Sequence, residues 1–279
     1  MRRMRHMWGG SSAGHGAARV ITRVRIATLV TAGAIGVGSC RARDSGTDTA
    51  SADTASAATA AASDSAGART GAAGEQSSAG DVAQGRTTWR FDSAAAGQPP
   101  AGFSFGRTGS GRPGRWVVRA APDAPSGPNV LAQEDTDRTD FRFPVAVADA
   151  PSYGDVSVSV RCKPVSGRVD QACGIVWRYR DENNYYLARA NPLEGNVRFY
   201  YVESGRRREV KGWNGTVRGG VWHELRADMR GDHVEVHFDG TKVIDARDSR
   251  FATPGEVGVW TKADSHTLFD DLTASPLGP

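Results

Sequence analysis

The sequence predicts an all-β fold, a β-sandwich or jelly roll, between residue 87 and residue 279. Short runs rich in β-branched and aromatic residues recur, and Gly, Pro, Asn and Asp separate them. No stretch keeps the 3.6-residue apolar period of an amphipathic helix. Every tryptophan except Trp8 lies between Trp89 and Trp260, so about 190 residues hold the core, enough for one domain. Many short strands without helices are typical of two packed sheets.

The strands can be assigned from these runs. In chain order we predict Thr88–Asp92, Arg115–Ala120, Asn129–Gln133, Asp155–Lys163, Ala172–Arg180, Asn184–Ala190, Asn196–Glu203, Trp222–Met229, His233–Phe238, Lys242–Ala246, Glu256–Thr261 and His266–Thr273. Apolar and polar residues alternate in several of them, which indicates strands with one buried face and one solvated face.

Two of the predicted strands carry the cysteines Cys162 and Cys173. The apolar residues of Asp155–Lys163 share one face with Cys162, and those of Ala172–Arg180 share one face with Cys173. Pairing the strands as a hairpin with Cys162 opposite Cys173 makes the two apolar faces coincide, and a one-residue slip would destroy the match. In an oxidising compartment this register predicts a disulfide. The alternative is two adjacent buried thiols.

The N-terminus carries the pattern of an export signal. Six arginines and no acidic residue precede an apolar stretch from Ile26 to Val37. This stretch is shorter than the roughly 20 residues that a membrane-spanning helix needs, which is typical of an export signal. Val37-Gly38-Ser39-Cys40 then resembles a bacterial lipobox. We therefore predict a signal peptide over 1–39 and acylation of Cys40, which would anchor the chain in a lipid bilayer. The alternative is an ordinary signal peptide with an incidental cysteine.

Removal of this peptide changes the charge of the protein. The full chain is formally +4, but its first 39 residues contribute six positive charges, so the mature chain is −2. A nucleic-acid partner, which a basic protein would suggest, is therefore not expected. Arg41 rather than Asp follows Cys40, which favours sorting to an outer membrane. We expect an exported, membrane-anchored lipoprotein on the periplasmic face or at the cell surface.

The composition of residues 40–86 predicts a disordered linker. They consist mostly of Ala, Ser, Thr, Gly and Asp and include no aromatic residue, so they cannot bury enough apolar surface to offset the entropy of ordering. A flexible chain of this length reaches on the order of 35–40 Å. An Ala-rich helix is the alternative, but the interspersed Gly, Ser, Thr and Asp disfavour it.

Seven blocks of the folded region together carry a family resemblance: Gly174–Asn191, Glu194–Val197, Gly205–Arg207, Trp222–Arg226, Phe238–Gly240, Gly255–Ser265 and Phe269–Asp271. They resemble the 3-keto-disaccharide hydrolase family, also described as 3-keto-glucoside lyase or hydratase-like domains. The resemblance implies a concanavalin-like jelly-roll sandwich of two antiparallel sheets, with saccharide chemistry on the concave side. It also implies an oligosaccharide or 3-keto-glycoside as the partner.

The residues that would bind a saccharide follow from what sugars require: aromatic faces, and planar charged or amide groups for the hydroxyls. The candidates are Arg178, Tyr185, Arg189, Asn191, Trp260 and Lys262. Arginines within a strand-rich block usually need a partner or a ligand, whereas a single aromatic there is more often core. In an extended segment, Trp260 and Lys262 would share one face with Asp264; a buried Trp beside a surface Lys–Asp pair is the alternative.

For acid–base chemistry the candidate carboxylates are Asp264, Glu194 and Asp271, with Asp270 also to be tested. The leading hypothesis is hydrolysis or processing of 3-keto-glycosides. A non-catalytic carbohydrate-binding module and a protein-interaction sandwich are the alternatives.

The sequence contains no pattern that requires a cofactor, and it leaves open whether the domain binds a structural calcium ion. His233, Glu235 and His237 alternate on one strand face, where a metal could bind, but a solvated outer face is the favoured interpretation.

Overall fold

A computed structural model describes residues 85–278. These residues form strands, turns and loops without a helix, so none of them makes a helix able to cross a lipid bilayer. The predicted signal peptide, the lipidation site Cys40 and all but the last residues of the predicted linker lie outside the described residues.

Fifteen strands form the described domain. They are β1 (Thr87–Trp89), β2 (Phe103–Gly109), β3 (Trp116–Ala120), β4 (Asn129–Gln133), β5 (Arg142–Ala148), β6 (Val156–Ser166), β7 (Cys173–Asp181), β8 (Asn184–Asn191), β9 (Asn196–Glu203), β10 (Arg206–Asn214), β11 (His223–Arg230), β12 (His233–Phe238), β13 (Thr241–Arg247), β14 (Glu256–Trp260) and β15 (His266–Pro276). The predicted strands all find a counterpart among them.

The strands form two antiparallel sheets, which confirms the predicted all-β sandwich. The eight-stranded sheet runs β13-β12-β11-β6-β15-β4-β3, with β1 added alongside β15. The seven-stranded sheet runs β10-β9-β8-β7-β14-β5-β2. The core lies between them and contains Trp177, whose ring stacks on Tyr186 and Phe199 at centroid distances of 5.7 and 5.6 Å.

Three strands were not predicted: β2, β5 and β10. Two of them, β2 and β10, are the edges of the seven-stranded sheet, and the residues of β10 are exposed or only partly buried, so its sequence Arg-Arg-Arg-Glu carries no apolar alternation. The third, β5, is buried on both faces and contains Pro144, so it shows no alternation either.

The disulfide between Cys162 and Cys173 is present, with a Cα–Cα distance of 6.2 Å. The predicted hairpin around it is wrong, because β6 pairs with β11 and β15 in one sheet while β7 pairs with β14 and β8 in the other. Their apolar faces do meet, but across the core, as opposite layers of the sandwich. Alternation along two strands specifies that their faces meet and leaves open whether they do so side by side or face to face.

Candidate functional site

The seven-stranded sheet has a second apolar surface, on the face that points away from the core; we call it the outer face. Strand alternation creates it: Tyr186 and Ala188 of β8 enter the core, so Tyr185 and Leu187 point outward. The cluster on this face consists of Phe143, Val145, Val147, Ala172, Val176, Tyr185, Leu187, Tyr200, Val202 and Trp260.

Aromatic side chains form the centre of the outer face, and we call Phe143, Tyr185, Tyr200 and Trp260 the aromatic patch. The rings of Phe143 and Trp260 lie 5.3 Å apart. The Trp260 indole N–H donates to the Tyr185 hydroxyl at 3.3 Å, which is also 2.7 Å from the Thr108 hydroxyl. Burial raises the pKa of Tyr185 to about 12. These contacts hold the rings in a fixed arrangement.

A network of polar side chains borders the aromatic patch. Its first part centres on Arg189, a buried residue of β8 whose guanidinium donates to Glu194 at 2.6 Å and to the Tyr200 hydroxyl at 3.1 Å. Asn196 accepts a further hydrogen bond from Arg189. Partial burial opposes ionisation of Glu194, but the Arg189 charge and the Asn196 amide outweigh it and lower the pKa of this carboxyl.

The second part of the network centres on Asp170, which is 1% exposed. The Lys262 ammonium lies 3.1 Å from the Asp170 carboxylate and 2.6 Å from that of Asp140. The Asn191 amide donates a hydrogen bond to the Asp170 carboxylate at 2.9 Å. Burial raises the pKa of Asp170 despite the Lys262 charge. We call these seven residues the polar edge: Asp140, Asp170, Arg189, Asn191, Glu194, Asn196 and Lys262. Its two carboxyls Asp170 and Glu194 have pKa values shifted in opposite directions.

One further arginine, Arg207 of β10, lies over the aromatic patch. Its guanidinium carbon is 4.4 Å from the ring centre of Phe143, 4.6 Å from that of Tyr200 and 5.5 Å from that of Trp260. These distances are within the range of cation–π contacts.

The structure thus brings together six of the predicted site residues, namely Tyr185, Arg189, Asn191, Glu194, Trp260 and Lys262. It adds Asp140, Asp170 and Arg207, which we did not predict. Gly205–Arg207 belongs to the resembling blocks, so a signal for Arg207 was present. Asp140 and Asp170 lie in loops, and no pattern in the sequence pointed to them.

The predicted catalytic residue Asp264 is buried in a structural position. Its carboxylate accepts the backbone N–H groups of Arg168, Val169 and Asp170 at 2.9–3.1 Å. Burial opposes its ionisation, but these hydrogen bonds lower its pKa. The extended segment assumed for this region is wrong, because β14 ends at Trp260 and Ala263 is left-handed with φ 47°. Asp264 therefore anchors the loop that carries Asp170.

The remaining candidates lie apart from the polar edge. Arg178 is buried, and its guanidinium donates to the backbone oxygens of Gly154 and Phe251 and to Asp155. Asp271 belongs to β15 in the other sheet, where it lies 3.5 Å from Arg90. Asp270 next to it accepts hydrogen bonds from Ser126 and from the Asp271 backbone, and burial raises its pKa to about 6. The structure gives these side chains partners within the domain.

The histidine-bearing face of β12 forms a charged network. Donor atoms of Asp228, Glu235 and His237 lie within 4.8 Å of one another, as do those of His233, Glu235 and Asp245. Lys242 donates to Glu235 at 2.8 Å and to Asp245 at 3.0 Å, so both carboxylates already pair with a cation.

No family model and no curated relative matches the chain, so the resemblance to 3-keto-disaccharide hydrolases rests on the quoted residues. Solved structures do match. The carbohydrate-binding module CBM66 from Bacillus subtilis is 20% identical over 65% of this chain and 98% of its own, with a TM-score of 0.50. The exoplasmic domain of VIP36 is 12% identical over 70% and 91%, with a TM-score of 0.49.

A protein of unknown function with a galectin-like fold, also from Bacillus subtilis, is 9% identical over 62% of this chain and 88% of its own, with a TM-score of 0.46. Identities this low concern the fold alone. The chain is therefore a jelly-roll sandwich that shares its fold with a carbohydrate-binding module.

Proposed function

We propose that this protein binds a saccharide at the outer face of the seven-stranded sheet. One observation carries the proposal: buried charged and amide groups converge at the border of the aromatic patch. Planar hydrogen-bonding groups suit the hydroxyls on the edge of a sugar ring, and the flat Arg207 guanidinium over the patch suits its face. The rings of the patch are themselves buried, so the ligand would contact the Arg207 plane and the exposed atoms of the polar edge. The fold shared with a carbohydrate-binding module supports this choice of ligand.

The proposal can be tested by screening the full chain against an array of oligosaccharides. Glu194→Gln removes the charge that Arg189 orients, in a side chain that is 42% exposed, and we expect it to weaken binding of any bound glycan roughly tenfold, the value of one charge-assisted hydrogen bond. Glu235→Gln on the eight-stranded sheet is the matched control and should bind as the unaltered protein does. If no glycan binds, or if both variants behave alike, the outer face is not a saccharide site.

A second candidate function is hydrolysis of 3-keto-glycosides, for which Glu194 is the carboxylate that a ligand can reach, with a side chain that is 42% exposed and a lowered pKa. Ionised Glu194 would accept a proton from the attacking water and return it to the leaving oxygen, whereas Asp170 is 1% exposed and pairs with Lys262. The glycosidic C–O bond breaks and the elements of water add across it. The family resemblance supplies the 3-keto-sugar as substrate.

This candidate is tested by incubating the full chain with 3-keto-trehalose, with trehalose as the control substrate, and measuring release of glucose. Glu194→Gln should abolish turnover and lower affinity only by the roughly tenfold expected above, because the amide cannot accept the proton of the attacking water. Release of glucose by the variant at the original rate would exclude Glu194 as the base. Binding without any turnover would leave a non-catalytic carbohydrate-binding module as the function of the domain.

We also propose that the domain is tethered to a membrane through Cys40. The support is the lipobox-like Val37–Cys40 pattern behind an arginine-rich, apolar N-terminus. Metabolic labelling with a radioactive fatty acid should mark the protein in a bacterial host. Cys40→Ala should lose the label and move to the soluble fraction, and labelling of this variant would contradict the assignment.

A further inference from the structure

Arg207 lies over the aromatic patch on the outer face, where the charges of Asp140 and Asp170 act on it without forming an ion pair. It lies opposite Val202 in the β9–β10 pair, so its side chain points to the same face as the aromatic patch. Within residues 85–278 the structure shows no ion pair for its guanidinium. The other cations on this face are paired: Arg189 with Glu194, Lys262 with Asp140 and Asp170, and Arg198, which lies opposite Arg189, with Glu209.

One guanidinium nitrogen of Arg207, Nη1, is buried and has no hydrogen-bond acceptor among the described residues. Burial lowers the pKa of this side chain, yet an arginine stays protonated in proteins. A charged donor that is removed from water and left without an acceptor destabilises the folded protein. The three aromatic rings offset part of this cost through cation–π contacts, but they cannot accept an in-plane hydrogen bond.

We propose that Arg207 binds the carboxylate of an acidic saccharide, so that the outer face selects glycans containing a uronic acid. The guanidinium is planar, and its paired N–H groups match the two oxygens of a carboxylate. A carboxylate placed there would satisfy the unpartnered Nη1 and neutralise the unpaired charge. This inference rests on the proposed saccharide binding and specifies the class of saccharide.

The test compares acidic and neutral forms of the same glycans. Full-chain protein is titrated with oligogalacturonate, oligomannuronate and heparosan fragments, each beside its carboxyl-reduced, neutral counterpart. We expect at least one acidic glycan to bind roughly 10- to 100-fold more tightly than its neutral form, because a hydrogen bond to a charged group contributes about 1.5–3 kcal/mol. The preference should weaken as salt is raised from 50 to 500 mM.

Three variants separate the role of Arg207 from general effects of charge and folding. Arg207→Gln should bind acidic and neutral forms alike, and Arg207→Lys should keep a reduced preference because it retains the charge without the planar fork. Arg208→Gln removes the same charge from the neighbouring residue, which is exposed and points to the other side of β10; it should behave as the unaltered protein. Thermal unfolding of each variant checks that the domain is intact.

The outcomes are distinct. Equal binding of neutral and acidic forms by the unaltered protein overturns the inference and leaves saccharide binding in place. An acidic preference that survives in Arg207→Gln also overturns it, and so does an equal loss in Arg208→Gln. If no glycan of either kind binds here or on the wider array, the proposed function fails and this inference fails with it.

Discussion

Removing the disulfide that joins the two sheets should destabilise the domain by a predictable amount. Cys162 and Cys173 are 11 residues apart in the chain, and both are fully buried in the core. A cross-link that closes a loop of about a dozen residues lowers the entropy of the unfolded chain and so raises the free energy of unfolding by about 3 kcal/mol. For a domain of this size, the melting temperature should fall by about 6–12 °C.

The measurement is urea unfolding followed by tryptophan fluorescence, for the oxidised protein and for the Cys162→Ala/Cys173→Ala double variant. The variant loses the cross-link and also two buried sulfur atoms, which adds a cavity cost. The unaltered protein unfolded in a reducing agent keeps both sulfurs, so it isolates the effect of the cross-link.

We expect the reduced protein to lie about 3 kcal/mol below the oxidised protein and the double variant to lie lower still. The disulfide should also resist reduction in the native state, because neither sulfur can be reached without opening the sandwich. If reduction changes the free energy of unfolding by less than about 1 kcal/mol, or if native protein is reduced as fast as unfolded protein, the placement of this cross-link in the core is refuted.

Three further predictions concern single residues. Gly258→Ala would press a Cβ against the backbone oxygen of Ala146 in β5, well inside van der Waals contact, so we expect the free energy of unfolding to fall by at least about 1–3 kcal/mol in denaturant unfolding; unchanged stability would contradict this close approach. Asp264→Ala leaves the backbone N–H groups of 168–170 without their acceptor and should cost about 3 kcal/mol or more; a variant that loses only turnover, at full stability, would support the catalytic role predicted from the sequence. Asp270 has a pKa raised to about 6 in the folded protein, from 3.8. Its contribution to stability is therefore complete below about pH 4 and is lost as the pH rises through 6. The free energy of unfolding of Asp270→Asn, relative to the unaltered protein, should therefore rise between pH 4 and pH 7, and a difference independent of pH would argue against the shift.

Much of the fold was predictable because strand formation depends on local pattern. The twelve predicted strands correspond to segments in which buried and exposed positions alternate or apolar residues cluster, as in β6 and β12. Two of the three missed strands, β5 and β10, lack that pattern for a physical reason. An edge strand such as β10 can be mostly polar, and a strand with both faces covered, such as β5, can be almost wholly apolar.

The candidate site was predictable only in part. Arg189 was singled out because an arginine in a strand-rich block needs a partner, and Glu194 was singled out as a candidate acid–base carboxylate. In the structure they are partners of each other. Asp170 was not predicted as a site residue, since a carboxylate in a loop is ordinarily solvated. It is buried here because Asp264 accepts a hydrogen bond from its backbone N–H and holds the loop in place. Arg207 stands in a run of three arginines, which by itself looks like solvated surface.

The sequence alone determined that this domain is a β-sandwich, that Cys162 and Cys173 face each other, and that aromatic and charged side chains concentrate between residues 177 and 200. Only the tertiary structure decided that the two cysteines join opposite sheets and that Asp170, Glu194 and Arg207 lie on one outer face. The reason is the range of the interactions. Side-chain alternation is a property of consecutive residues, whereas the assignment of strands to sheets depends on contacts between segments far apart in the chain.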